Sequence, residues 1–147
     1  MSYKGRFKPK NYQKYKGDST NVIYRSLLER KFMIYCDLNP SILEWSSEEV
    51  VIPYKSPLDN RWHRYFVDFY IKYKDKKGEI KSALIEIKPY IQTQPPKRKD
   101  TPTGRPTKRF LNEVAKWGVN QAKWKAASEF CEDRLWEFKI ITDKDLR

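Results

Sequence analysis

Residues 66–88 read FVDFYIKYKDKKGEIKSALIEIK, two apolar runs joined by a basic stretch with one glycine. Each run carries an acid between large apolar neighbours: Asp68 between Val67 and Phe69, Glu86 between Ile85 and Ile87. A carboxylate on a half-buried strand costs free energy unless something pairs with it. Reading the segment as a hairpin decides which side chains share a face. With Lys76-Lys77-Gly78 as a three-residue loop, glycine falls at the last position, where the chain must turn left-handed. Asp75 then faces Glu79. Asp68 lies seven residues before Asp75, and Glu86 seven after Glu79, so the two acids stand opposite each other on one face. Opposed residues have Cβ atoms roughly 4.5–5.5 Å apart.

Lys88 is two residues beyond Glu86 and shares that face. On the hairpin alone, two readings stay open. In one, a surface hairpin carries Asp, Glu and Lys as a cross-strand salt bridge. In the other, a divalent cation, Mg²⁺ or Mn²⁺, turns repulsion between the acids into attraction. Lys88 would then orient or deprotonate an attacking water and stabilise developing negative charge, a minimal set for phosphodiester hydrolysis. Phe66, Tyr70 and Leu84 share the face, which favours an enclosed site over a solvated one. A slip of one residue in the register would undo the pairing.

Outward from the hairpin, WHRYFVDFYIKYK (62–74) reads as one long alternating strand. His63, Tyr65, Val67, Phe69, Ile71 and Tyr73 fall on one face, with Arg64, Phe66, Asp68, Tyr70 and Lys72 on the other. His63, the only histidine, therefore points away from the acids. The stretch 48–54 reads as a short strand, 56–61 as a turn, 80–88 as a third strand and 135–142 as a last one. Ser19, Thr20 and Asn21 offer caps for a helix running to about Asp37, stopped by Asn39-Pro40. Glu29 lies beside its apolar side. A second helix is expected from Lys108 to Glu132, with Leu111, Val114, Ala115, Gly118 and Ala122 as its buried stripe. Trp117 and Trp124 are read as core; Gln121 and Lys123 as a solvated face. Helix, three strands, helix and strand make an α/β fold, a mixed central β-sheet flanked by helices.

The chain has 147 residues, which fits one domain, read as 19–147 behind a basic arm at 1–18. Lys4, Arg6, Lys8 and Lys10 stand in the arm, and the proline-rich loop 89–107 holds Lys97, Arg98, Lys99 and Arg105. These eight are the expected DNA-binding residues, since a net charge of +12 favours a polyanionic partner. Loops as long as 89–107 are usually functional or disordered. Cys36 and Cys131 have no metal-ligand spacing and read as buried free thiols. The sequence has neither a phosphate-cradling glycine loop nor an apolar run of the ~18 residues that span a bilayer. The expected location is the cytoplasm, or a particle assembled there.

The combination YFVDFYI, hairpin, IEIK resembles the PD-(D/E)xK nuclease superfamily, with Val67 where the name has proline. SLLERKF resembles the first helix of many members, with its embedded acid. More narrowly, HRYFVDFY…IEIKP is similar to TnsA-type endonuclease amino-terminal domains. GRFKPKNYQKYKGD, NVIYRS and EWSSEEVVIPY resemble the head-completion nucleases of T-even-like tailed phages. The resemblance implies a restriction-endonuclease-like core and a metal-dependent endonuclease acting after DNA packaging and before tail joining. It implies catalytic roles for Glu29, Asp68, Glu86 and Lys88. Asp68, Glu86 and the Ile87 carbonyl would hold Mg²⁺ or Mn²⁺. The implied partners are DNA and phage head, portal or neck proteins, with a place in the virion. The alternative is a structural, DNA-binding virion protein of the same fold with weak or no nuclease activity.

Overall fold

The structure, a computed structural model, describes residues 4–146. Its chain order is β1 (Gly5–Phe7), β2 (Val22–Tyr24), α1 (Leu27–Leu38), β3 (Ile42–Ser47), β4 (Val51–Lys55), β5 (Trp62–Phe66), β6 (Phe69–Lys74), β7 (Ile80–Ile87), α2 (Lys108–Arg134) and β8 (Glu137–Ile141). The central sheet runs β3-β6-β7-β8. Its first three strands are antiparallel, and β8 lies parallel to β7. Parallel neighbours need a long crossover; loop 89–107 and α2 supply it. The sheet is mixed and flanked by helices, as the patterning indicates.

The hairpin forms in the expected register. Phe69 pairs with Ile85 and so on to Lys74 with Ile80. Asp75 and Glu79 close the loop through a 2.9 Å backbone bond. Gly78 takes φ +85°, a conformation side-chain-bearing residues resist.

The central strand β7 is buried on both faces. Ala83, Ile85 and Ile87 meet Phe32, Met33 and Cys36 of α1, together with Trp45 and Phe69. Leu84, from the other face, meets Trp124, Ala127 and Cys131 of α2, with Ile52, Tyr54, Tyr65 and Val67. Both cysteines are free and buried.

Several expectations change. The run 62–74 is two strands, not one: β5 pairs with β4 in a separate hairpin, whereas β6 enters the central sheet. The break at Val67-Asp68 is held by backbone bonds from Val67 N–H to Val50 C=O (3.0 Å) and from Glu48 N–H to Asp68 C=O (3.1 Å). α1 starts later than expected, because Ser26 rather than the 19–21 cluster caps it. Residues 22–24 pair instead with 5–7. The segment expected as an arm joins the fold from β1 at Gly5 onward, its first three residues lying outside the described ones. Tyr15 is buried against Trp45, ring centroids 4.8 Å apart. Lys14 Nζ donates to the carbonyls of Cys36, Asp37 and Asn39, capping α1. β3 is not in the expected order; its short apolar signal, ILEW, begins two residues after Pro40. In α2 the buried positions are Trp124, Ala127 and Cys131. Leu111 and Val114 are exposed. Loop 89–107 holds a 3-10 turn at Tyr90–Thr93 and a bridge between Asp100 and Pro106.

Candidate active site

Asp68 occupies the break between β5 and β6, just beyond the Phe69–Ile85 pair and close enough to Glu86 for the two charges to interact. Glu86 is fully buried on β7; Asp68 is half-buried. Each acid has one oxygen held by the protein. Ile87 N–H donates to Asp68 Oδ2 at 2.8 Å. The Tyr65 hydroxyl donates to Glu86 Oε2. Lys88 Nζ stands 3.8 Å from the other oxygen, Glu86 Oε1.

Lys88 N–H bonds to Ile141 C=O on β8 at 3.0 Å. Neighbouring residues of a strand turn their backbone groups to opposite edges. The Ile87 carbonyl therefore emerges on the β6 edge, alongside the N–H that serves Asp68.

Burial pushes the Asp68 carboxyl well above the usual carboxylate range, and the adjacent Glu86 and Glu29 charges push the same way. The Ile87 N–H and the Lys88 ammonium oppose this. Such a pair of acids favours a bound proton or cation between them.

Glu29 sits in the first turn of α1, where Ser26 Oγ caps the helix by accepting from Glu29 N–H and in turn donates to Glu29 Oε2, both at 3.1 Å. Burial raises its carboxyl as well. Its charge acts on Asp68, so the acid of α1 belongs to the same electrostatic cluster. Among the described residues no three His, Cys, Asp or Glu side chains converge closely enough to hold an ion together. A cation here would take two carboxylates, a carbonyl and water, a set that suits Mg²⁺, which keeps much of its hydration. The residues present fit the ion that the sequence motif implies.

Three residues around these acids escape the sequence pattern. Arg25 pairs with Glu48, and its guanidinium also feels Glu29 and Asp68. Tyr65, assigned by alternation to the face opposite Asp68, reaches Glu86. Lys123, read as solvated, lies over the rings of Tyr54 and Tyr65, at 5.7 and 5.5 Å. His63 is exposed and bonded to Asp59 at 2.8 Å, away from the acids.

The eight basic residues expected to contact DNA are all exposed, on two separate segments. Arg6 and Lys8 line an open hollow of about 490 Å³ with Pro9, Tyr12, Ser19 and Thr20. In the loop, Arg98 pairs with Asp100 at 2.8 Å, leaving Lys97, Lys99 and Arg105 to carry its positive charge.

Residues 39–143 match the family model described as TnsA-like endonuclease N terminal. That stretch contains Asp68, Glu86, Ile87 and Lys88, with Glu29 upstream of it. Over its full 147 residues the chain is 43% identical to the head completion nuclease of Enterobacteria phage T4, covering 95% of that protein.

Proposed function

This chain belongs to the TnsA-like endonuclease N-terminal family and is a nuclease of phage head completion, and from that premise we propose that it hydrolyses DNA phosphodiester bonds with Mg²⁺ or Mn²⁺. Asp68, Glu86 and the Ile87 carbonyl would hold the ion. Bound there, it would polarise the scissile phosphate and stabilise the charge that develops on it. Lys88, on the open side of Glu86, orients the attacking water and offsets negative charge on the phosphate. Glu29 assists from α1, where its raised carboxyl can accept or return a proton. The exposed bases Lys4, Arg6, Lys8, Lys10, Lys97, Arg98, Lys99 and Arg105 contact phosphates and hold the duplex against the sheet edge.

The observation that carries this reading is the hairpin register. It pairs Phe69 with Ile85, which supports reading Asp68 and Glu86, the residues just beyond that pair, as one site, with Lys88 Nζ 3.8 Å from Glu86 Oε1. In this reading the protein joins the filled head, docks on head, portal or neck proteins, and passes through the host cytoplasm during assembly.

Purified protein should cut plasmid DNA with Mg²⁺ or Mn²⁺ and be silent in EDTA. Lys88→Ala should slow cutting by about 10²–10⁴-fold, the usual worth of a positioned proton-transfer group, with an unchanged circular dichroism spectrum. Cutting by Lys88→Ala at the wild-type rate, or equal cutting in EDTA, would overturn the mechanism. DNA binding without any cutting would instead favour a structural role in the virion.

A further inference from the structure

Glu86 accepts from a buried hydroxyl on one oxygen while its other oxygen faces Lys88. It projects from the central strand toward α2, into the layer that also contains Leu84. Tyr65 arrives there from β5, across the break at Val67-Asp68. The bond between them is shielded: Tyr65 and Glu86 are 4% and 5% exposed. The phenol ring has little freedom. It is packed among Ile52, Leu84, Trp124 and Ala127. The ammonium of Lys123 lies 5.5 Å from its centroid, in range for a cation–π contact. The hydroxyl is therefore a fixed donor aimed at one oxygen.

The two oxygens of Glu86 consequently differ. Oε2 is occupied by Tyr65, and Oε1 faces Lys88. Asp68 is divided in the same way, since Oδ2 is taken by Ile87 N–H. Each carboxylate offers one oxygen. A cation that needs a compact octahedral shell is served by single oxygens. Ca²⁺, with six to eight ligands and frequent bidentate carboxylates, is not. We propose that Tyr65 is a positioning residue that restricts Glu86 to one donor oxygen and so sets a preference for a small octahedral cation over Ca²⁺. The proposal rests on the reading that Asp68 and Glu86 hold a cation.

Tyr65→Phe removes the donor and keeps the ring. Titration calorimetry on the full chain, without DNA, would measure Mn²⁺, Mg²⁺ and Ca²⁺ binding to wild type and variant. Outer partners of metal ligands are worth about 10–100-fold in metal affinity. Mg²⁺ and Mn²⁺ binding should weaken by about tenfold or more. Ca²⁺ binding should hold or tighten, because Glu86 becomes free to engage with both oxygens. A general loosening of the fold would weaken all three ions alike, so the Mg²⁺:Ca²⁺ ratio separates positioning from mere structure. An unchanged ratio overturns the role of Tyr65. No binding of any ion by wild type overturns the metal reading, and this proposal with it. Tyr65→Met, which lacks the hydroxyl but can fill the space, repeats the test if Tyr65→Phe does not fold. Loss of folding in both assigns Tyr65 to stability and overturns the proposal.

Discussion

Asp68→Asn isolates the repulsion at the centre of the site. Asn is nearly isosteric and can still accept the Ile87 N–H bond. Asp68 and Glu86 lie just beyond the Phe69–Ile85 pair, close enough for the charge of Glu86 to act on Asp68. Two charges about 5 Å apart repel by about 3 kcal/mol at an effective dielectric constant near 20. Lys88, 3.8 Å from Glu86, offsets part of this. In EDTA at pH 8 the variant should therefore be more stable than wild type by about 1–2 kcal/mol, raising Tm by about 3–6 °C. The sign with pH follows from the raised Asp68 carboxyl. Folded wild type holds that proton more tightly than the unfolded chain does. The stability it lends is complete below the ordinary Asp value of about 3.9 and is lost as pH rises through the raised native value. The advantage of the variant should thus vanish in acid and grow toward pH 8. Mn²⁺ should reverse the order. At a hundred times its Kd it stabilises wild type by about 2.7 kcal/mol and should do little for a site with one acid removed. Calorimetric melting of both proteins, at pH 4 and 8, with EDTA and with Mn²⁺, reads all of this. A variant less stable than wild type in EDTA at pH 8, or one equally stabilised by Mn²⁺, refutes the reasoning.

Converting Lys97, Arg98, Lys99 and Arg105 to Gln should weaken DNA binding without changing sequence preference. Where all four neutralise phosphates, the slope of log K against log salt should flatten by up to about 3.6, read by fluorescence anisotropy across a salt series. Lys14→Met should cost about 1.5–3 kcal/mol by urea denaturation, because a charged donor serving three carbonyls at the end of α1 is lost. Its cutting rate at saturating DNA should stay near that of wild type.

Local chemistry made much of the site legible. The hairpin needed only Gly78 at its turn and the alternation of residues 69–74 and 80–87, both short-range properties of the chain. The register pairs Phe69 with Ile85 and so brings Asp68 and Glu86, each just beyond that pair, into one neighbourhood, although Asp68 itself lies in the break where strict alternation ends. α2 was visible from its length and pattern, although its buried stripe lay further along than expected. Burial depends on which turns of the helix meet other elements, and those turns are around Trp124, Ala127 and Cys131 rather than Leu111. The start of α1 was misread because Ser19, Thr20, Asn21 and Ser26 are all competent caps. The choice fell to the pairing of residues 22–24 with 5–7, a contact no local pattern announces.

Sequence alone determined the register of the hairpin at 69–87 and the left-handed turn at Gly78 that aligns it, because each depends on spacing along a single hairpin. Tertiary structure alone decided that the run 62–74 breaks at Val67-Asp68 and sends its halves into different sheets. Alternation assigns faces only while a strand is straight, so Tyr65 was placed opposite the acids and in fact lies against Glu86. The same holds for Lys123 and for Arg25 with Glu48, whose partners are distant in the chain and are chosen by the packing of whole elements.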